Sequence, residues 1–156
     1  MLIQFNFENY KGFRDRTSLD MTATSLKEHQ YNLIEENSDK ILKIAAIYGA
    51  NASGKSTVIE AFSFMTNFVE NSFKYSSSNK KIPLKRFAFD KKSKESPSEF
   101  EVFIKYNGNE YQYGFRLDDK KVIEEWLYRR DFRSKNKPKY KSLFEREGQI
   151  IECDSK

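Results

Sequence analysis

The chain has little cysteine and histidine, and it has no long apolar run. Its 156 residues include one cysteine, Cys153, and one histidine, His29. These counts exclude an internal disulfide and a zinc cluster of cysteine and histidine ligands. No segment approaches the roughly 18 apolar residues of a membrane span, and the first residues lack the basic and then apolar layout of a signal peptide. We therefore expect a cytoplasmic protein without membrane contact.

The charge balance of the chain is only mildly basic. Its 28 Lys and Arg residues against 23 Asp and Glu residues give a formal charge of +5. Such an excess permits contact with nucleic acid but does not require it. The length fits one domain, or a large part of one bigger domain. Any partner must therefore be argued from particular residues.

Apolar and polar residues alternate along several segments with the two-residue period of β-strands. Residues 1–7 and 19–23 show this period on either side of a turn, which predicts a hairpin. The same period or short apolar runs recur in residues 100–106, 111–117, 122–130, 140–144 and 150–151. Asn107-Gly108 between the first two of these segments is a strong signal for a tight turn. The second half therefore predicts an antiparallel meander.

The middle of the chain changes character twice. Residues 25–40 are polar and predict a loop, with at most a helical turn, and residues 90–98 read as a further polar insert. Residues 41–48 are almost continuously apolar, which is typical of a strand covered on both faces. Beyond Lys55, one stripe recurs at three- and four-residue steps, namely Val58, Phe62, Met65, Val69 and Phe73. This stripe predicts an amphipathic helix.

A glycine-rich loop lies between that strand and that helix. Gly49 to Ser56, GANASGKS, satisfies the pattern G-x-x-x-x-G-K-[ST] of a phosphate-binding loop, or P-loop. In such loops the glycines let backbone N–H groups surround an anion. Lys55 would reach the β- and γ-phosphates and serve as the catalytic candidate, while the Ser56 hydroxyl would ligate Mg²⁺. The positive N-terminal end of the helix adds to the attraction for an anion.

The sequence therefore predicts a site for ATP and Mg²⁺. The Thr57 hydroxyl is placed to meet the α-phosphate. The predicted binding residues are Gly49, Ala50, Asn51, Ala52, Ser53, Gly54, Lys55, Ser56 and Thr57.

A second acidic motif does not follow the loop in a recognisable form. Hydrolysis of ATP needs an apolar strand that ends in an acidic residue, which holds Mg²⁺ and orients the attacking water. Asp90, after Phe-Ala-Phe, and the pair Glu124-Glu125 are the nearest matches. Ordinary strand ends with solvated charges explain both better. We expect this chain alone to hydrolyse ATP slowly or not at all.

Longer stretches of the chain resemble one protein family. They are MLIQFNFENYKGFRDRTSLDMTAT, AAIYGANASGKSTVIEAF, PSEFEVFI, YQYGFRLDD and IEEWLYRR. They are similar to the N-terminal part of bacterial AAA-15/AAA-21 type ATP-binding proteins, of the ABC-type ATPase class, near SMC and recombination-repair heads and OLD nucleases. The resemblance implies an α/β P-loop NTPase fold, as an ABC-ATPase-like head lobe with an antiparallel β subdomain.

The resemblance also implies a domain layout and partners. Residues 1–73 would form the start hairpin, the P-loop strand and the helix, and residues 82–151 the meander, within a fragment of a longer protein. Family members bind ATP between two heads, so the full-length protein is expected to pair with a second ATPase head as a homodimer. Many members act on DNA or in phage defence, which makes DNA a possible partner.

Other residues are weaker candidates for the same site. Related heads place groups of the turn after the first strand near the nucleotide, which points to Tyr10, Lys11 and Phe13, although an ordinary surface turn explains them equally well. Gln112 and Gln149 are candidates for the glutamine of the class that senses magnesium and water, and solvated glutamines are the simpler interpretation of both.

One other function stays open, and a second is disfavoured. The most basic stretch comprises Arg129, Arg130, Arg133, Lys135, Lys137, Lys139 and Lys141. It could grip DNA phosphates, in a DNA- or protein-interaction module whose P-loop is structural or regulatory, although a solvated hairpin connection is the commoner meaning of such a run. Trp126 fits sheet packing better than base stacking. A small P-loop kinase is disfavoured, because the chain continues as a meander after the helix.

Overall fold

The computed structural model describes residues 1–25, 28–36, 39–76, 81–131 and 139–154. Its strands are β1 (Leu2–Glu8), β2 (Thr17–Asp20), β3 (Leu33–Glu36), β4 (Asp39–Leu42), β5 (Ser98–Tyr106), β6 (Asn109–Leu117), β7 (Val122–Asp131), β8 (Lys141–Glu147) and β9 (Ile150–Cys153). Its α-helices are α1 (Lys55–Ser76) and α2 (Lys91–Glu95), and a 3-10 turn spans Gln30–Asn32.

Seven of these strands form one sheet, in the order β2-β1-β5-β6-β7-β8-β9. Every strand pair among the described residues is antiparallel, including the separate hairpin of β3 and β4. The predicted hairpin of the first two strands is confirmed, and these strands lie in the same sheet as β5–β9. Asn107 and Gly108 have φ values of 50° and 72°, so the tight turn predicted between β5 and β6 is confirmed as well. The division into segments 1–73 and 82–151 stays a prediction.

The two faces of this sheet differ in chemistry. One row of paired residues across one face consists of Leu19, Phe5, Val102, Tyr113, Leu127 and Phe144. On the opposite face, Asn6 lies beside Glu101, and Glu101 lies beside Gly114. Because successive side chains of a strand point to opposite faces, this difference produces the alternation seen in the sequence.

Helix α1 covers the apolar face of the sheet over β1, β5 and β6. The core combines strand residues Phe5, Phe7, Phe100, Phe115 and Leu117 with helix residues Ala61, Met65 and Phe68. The rings of Phe68 and Phe115 lie with their centroids 5.0 Å apart. This packing holds α1 against the sheet.

The stripe of α1 that faces the core differs in part from the predicted stripe. Met65 is buried as expected, but Val69 and Phe73 are 43% and 79% exposed. The buried stripe continues through Phe68 instead. Positions three and four residues beyond Met65 lie on nearly the same side of a helix, so the period alone does not decide which one faces the sheet.

The prediction of one buried strand over residues 41–48 is wrong for most of its length. Ile41 is buried in β4, which ends at Leu42, while Ile44 and Tyr48 are 82% and 90% exposed. No described strand pairs with residues 43–48. An apolar run becomes a buried strand only where neighbouring strands and helices cover it, and the described residues supply none here.

Two short elements fall where the sequence indicates only polar loops. Strand β3 lies within residues 25–40 and pairs with β4, and α2 lies within residues 90–98. The β3–β4 hairpin is joined to the sheet by Lys105 of β5, whose buried ammonium lies 2.7 Å from Asp39 and donates to the Glu36 carbonyl. Neither described helix has the length and apolar character needed to cross a membrane.

Candidate functional site

The predicted phosphate-binding loop lies between the exposed segment 43–48 and the first turn of α1. Residues 49–53 are exposed, whereas Gly54 and Lys55 are partly buried. Helix α1 begins at Lys55, as the sequence pattern predicts. The first N–H groups of an α-helix have no partner within the helix, and the helix dipole makes this end positive. The loop therefore meets a helix end that favours a bound anion.

The backbone of the loop is tightly turned. Ala52 and Gly54 have φ values of 62° and 93°, in the left-handed region. The Ser53 amide donates to the Ala50 carbonyl at 3.2 Å, and the Thr57 amide donates to the Gly54 carbonyl at 2.9 Å. A positive φ costs little at glycine but is strained at alanine. The loop is thus a sharp turn that runs directly into α1.

The Lys55 ammonium folds back over this loop. Its Nζ donates to the carbonyl oxygens of Gly49 and Ala50, at 2.8 and 2.6 Å. An ammonium carries three donors, so these bonds hold Lys55 at the loop and leave one donor for an anion. Ser56 is exposed in the same turn of α1, and its hydroxyl is the kind of hard oxygen that Mg²⁺ accepts as a ligand.

The turn that follows β1 packs against both the loop and α1. The Phe13 ring lies beside Gly54, because a Cβ built there would be 2.8 Å from two carbons of that ring. Lys11 Nζ donates to Glu60 Oε2 of α1 at 2.5 Å. This hydrogen bond raises the pKa of Lys11 above its ordinary value. Lys11 and Phe13 are thus brought to the site region, in contact with protein groups.

Tyr10 has a different place from its two neighbours in the turn. It is 5% exposed, and its ring lies 5.5 Å from that of Phe100 in the core. Burial raises the pKa of the Tyr10 hydroxyl. The sequence does not indicate Glu60 as a candidate, because its partner Lys11 lies 49 residues away and no local pattern connects them.

The acidic residues considered as magnesium ligands are engaged elsewhere. Asp90 caps α2 by accepting a backbone hydrogen bond at 2.7 Å, which lowers its pKa. Glu124 and Glu125 lie 2.8 and 3.6 Å from Arg116 and Arg146. No three acidic, His or Cys side chains within the described ranges are grouped to hold a metal ion. Asp90 therefore caps α2, and Glu124 and Glu125 form ion pairs on the strands.

On the face of the sheet opposite α1, Glu101 is the central acceptor of a polar network. This network includes two other candidate residues, Gln112 and Trp126. Glu101 accepts from Gln112 Nε2 at 2.7 Å, from Trp126 Nε1 at 3.2 Å and from Asn6 Nδ2 at 3.0 Å. Gln112 is therefore hydrogen-bonded in the sheet, and Trp126 packs in the sheet as predicted. Gln149 is exposed in the turn before β9.

The basic stretch is only partly described. Three of its members lie outside the described residues, namely Arg133, Lys135 and Lys137. Arg130 donates to Glu110 at 2.5 Å, and its guanidinium lies 5.1 Å from the centre of the Tyr140 ring. Lys139 and Lys141 are exposed. Part of this stretch is thus used within the fold, and part faces solvent.

Comparison with known proteins gives one family match. A family model described as "AAA domain, putative AbiEii toxin, Type IV TA system" matches residues 44–147. The matched segment includes the glycine loop, α1 and strands β5–β8. No curated protein and no solved structure matches the chain.

Proposed function

This chain belongs to the AAA_21 family of AAA-type, ATPase-like nucleotide-binding domains, and we propose that it binds ATP and Mg²⁺ at residues 49–57. The observation that carries the proposal is the Lys55 ammonium, held over the loop by the carbonyls of Gly49 and Ala50. A lysine fixed in front of a helix N-terminus is suited to a chain of phosphates.

Each part of the loop has a role in this proposal. The backbone N–H groups of residues 49–54 and of the first turn of α1 hold the α- and β-phosphates, and the Thr57 hydroxyl meets the α-phosphate. Lys55 would direct its remaining donor toward the β- and γ-phosphates, and Ser56 Oγ would hold the metal ion. Bound Mg²⁺ neutralises phosphate charge. Exposed Ser56 in the first turn of α1 supplies a hydroxyl that fits this donor requirement.

Binding and hydrolysis are separate in this proposal. Hydrolysis needs groups that orient a water molecule and stabilise the charge of the transition state. Asp90, Glu124 and Glu125 are occupied by a helix cap and by ion pairs. We therefore propose that the chain retains ATP with slow or no turnover, and that the full-length ATPase uses additional motifs.

The resemblance to ABC-type heads supports two further partners, a second ATPase head and DNA. The second head would face the loop of the first in a homodimer. The biological setting would be DNA repair or phage defence. The exposed Lys139 and Lys141 support contact with DNA phosphates. In the alternative function, an interaction module, DNA binding would not depend on the glycine loop.

Calorimetric titration with ATP tests the proposal. We expect Lys55→Ala to raise the Kd for ATP about 30-fold, since a charge-assisted hydrogen bond to phosphate is lost. Lys74→Ala is the matched control, because it removes the same charge from the last turn of the same helix. We also expect removal of Mg²⁺ by EDTA to weaken binding to the unchanged chain.

Two results would contradict the proposal. One is a chain that binds no ATP, and the other is equal binding by the Lys55→Ala and Lys74→Ala variants. Salt-dependent DNA binding that survives Lys55→Ala, in a chain that binds no ATP, would favour the interaction module instead.

A further inference from the structure

We propose that Phe13 is a positioning residue for the glycine loop, whose ring keeps Gly54 in the conformation that receives phosphate. The effect on nucleotide affinity rests on the proposed function above, whereas the effect on the loop itself does not. Phe13 acts through Gly54 in this proposal, without touching the nucleotide.

The ring of Phe13 occupies the space that a side chain at position 54 would fill. A Cβ built on Gly54 would lie 2.8 Å from both Cε2 and Cζ of Phe13, and 3.9 Å from Cδ2. Gly54 has a φ of 93°. Glycine has no side chain to restrict its backbone, so its conformation is set by its neighbours. The ring contact supplies that restriction from outside the loop.

The ring is itself fixed by the core. Its centroid lies 5.1 Å from that of Phe7, at an interplanar angle of 76°, which is a favourable edge-to-face arrangement. Phe7 is 1% exposed and belongs to the main apolar cluster beneath α1. The position of Gly54 is therefore tied to the sheet through Phe13 and Phe7.

The turn that carries Phe13 is fixed at its other positions as well. Tyr10 and Phe13 exchange two backbone hydrogen bonds, each of 2.9 Å, and the Lys11 amide donates to the Lys85 carbonyl at 2.7 Å. The Lys11 side chain adds the 2.5 Å bond to Glu60 on α1. The turn thus holds α1 and the last glycine of the loop at the same time.

A preformed loop matters because residues 49–53 are exposed, and the hydrogen bonds described for them come from Lys55 and from within the loop. If the phosphate-receiving conformation is only partly populated, the apparent affinity falls by that fraction. Removal of the ring would let Gly54 sample other backbone conformations. A loop that holds its receptive form about a tenth of the time would bind about tenfold more weakly.

The test compares Phe13→Ala with a conservative variant, Phe13→Leu, and with a control, Phe103→Ala. Phe103 is also half-buried, but it lies on the face of the sheet opposite α1. Amide hydrogen exchange of residues 49–57 is measured without nucleotide, and ATP affinity is measured by calorimetry. We expect Phe13→Ala to accelerate exchange in the loop and to raise the Kd about tenfold. Phe13→Leu should keep the exchange rate and the Kd for ATP close to those of the unchanged chain. Phe103→Ala should change neither quantity.

The outcomes separate this proposal from the proposed function. Faster loop exchange in Phe13→Ala supports the positioning role even if the unchanged chain binds no ATP, a result that would defeat only the nucleotide site. Unchanged loop exchange in Phe13→Ala overturns the positioning role. Weaker ATP binding without any change in exchange also overturns it, because Phe13 would then contact the nucleotide directly. An equal effect of Phe103→Ala on the loop would reduce Phe13 to a general contribution to stability.

Discussion

Single residues of this protein depend on partners that are distant in the sequence. Lys11 bonds to Glu60 across 49 residues, and the Phe13 ring fills the space beside Gly54. Lys55 is different, because its partners lie five and six residues earlier in the same loop. The local pattern therefore indicates that the Lys55 side chain lies at the loop, whereas no local pattern indicates the two long-range contacts.

Gly114 gives a direct test of how Trp126 packs on the sheet. A Cβ added to Gly114 would lie 2.4 Å from Cζ2 of Trp126, whose indole N–H is held by Glu101. Gly114→Ala must displace the ring, and we expect a loss of about 2 kcal/mol in the free energy of unfolding. Urea denaturation followed by the fluorescence of Trp126 measures this loss.

The control for this substitution is Gly12→Ala. A Cβ at Gly12 would meet no atom within 4 Å, so we expect its unfolding free energy to stay within about 0.5 kcal/mol of that of the unchanged chain. Equal stabilities of the Gly114→Ala and Gly12→Ala variants would contradict the packing described for Trp126.

Among helices and strands, the sequence predicts where a strand lies better than it predicts which strands are buried by other elements. The alternation of β1, β5 and β6 follows from a sheet with one apolar and one polar face, and such a period is visible locally. The apolar run of residues 41–48 is misleading, because burial depends on which other elements cover a strand. Strand β3 depends in the same way on its pairing with β4. Among the predicted site residues, α1 begins at Lys55 as the pattern indicates, while the role of residues 49–57 in nucleotide binding stays a prediction.

Helix α1 offers a matched pair of substitutions that tests which of its faces is buried. Phe68 is 6% exposed and Phe73 is 79% exposed. We expect Phe68→Ala to lower the free energy of unfolding by about 3 to 4 kcal/mol, because it leaves a cavity beside Phe115. Phe73→Ala should change it by less than about 0.5 kcal/mol. Chemical denaturation measures both free energies of unfolding. A larger loss in Phe73→Ala than in Phe68→Ala would contradict the assignment of the buried face.

At the scale of the whole molecule, α1 is covered unequally. One side packs on the sheet, while Ile59 and Phe73 are exposed on the helix and Tyr48 is exposed before the loop. Among the described residues, Lys55 of α1 and the Phe13 ring of the turn after β1 contact the glycine loop.

We propose that nucleotide phosphates bind at the glycine loop, and backbone amide NMR locates the binding site residue by residue. The spectrum of the chain is recorded with and without ATP and Mg²⁺, and again for Lys55→Ala. We predict that the largest shift changes fall on the amides of residues 49–57, and that Lys55→Ala needs about 30-fold more ATP to reach them. Shift changes confined to the exposed Lys139 and Lys141, or unchanged amides in the loop at saturating ATP, would contradict this proposal.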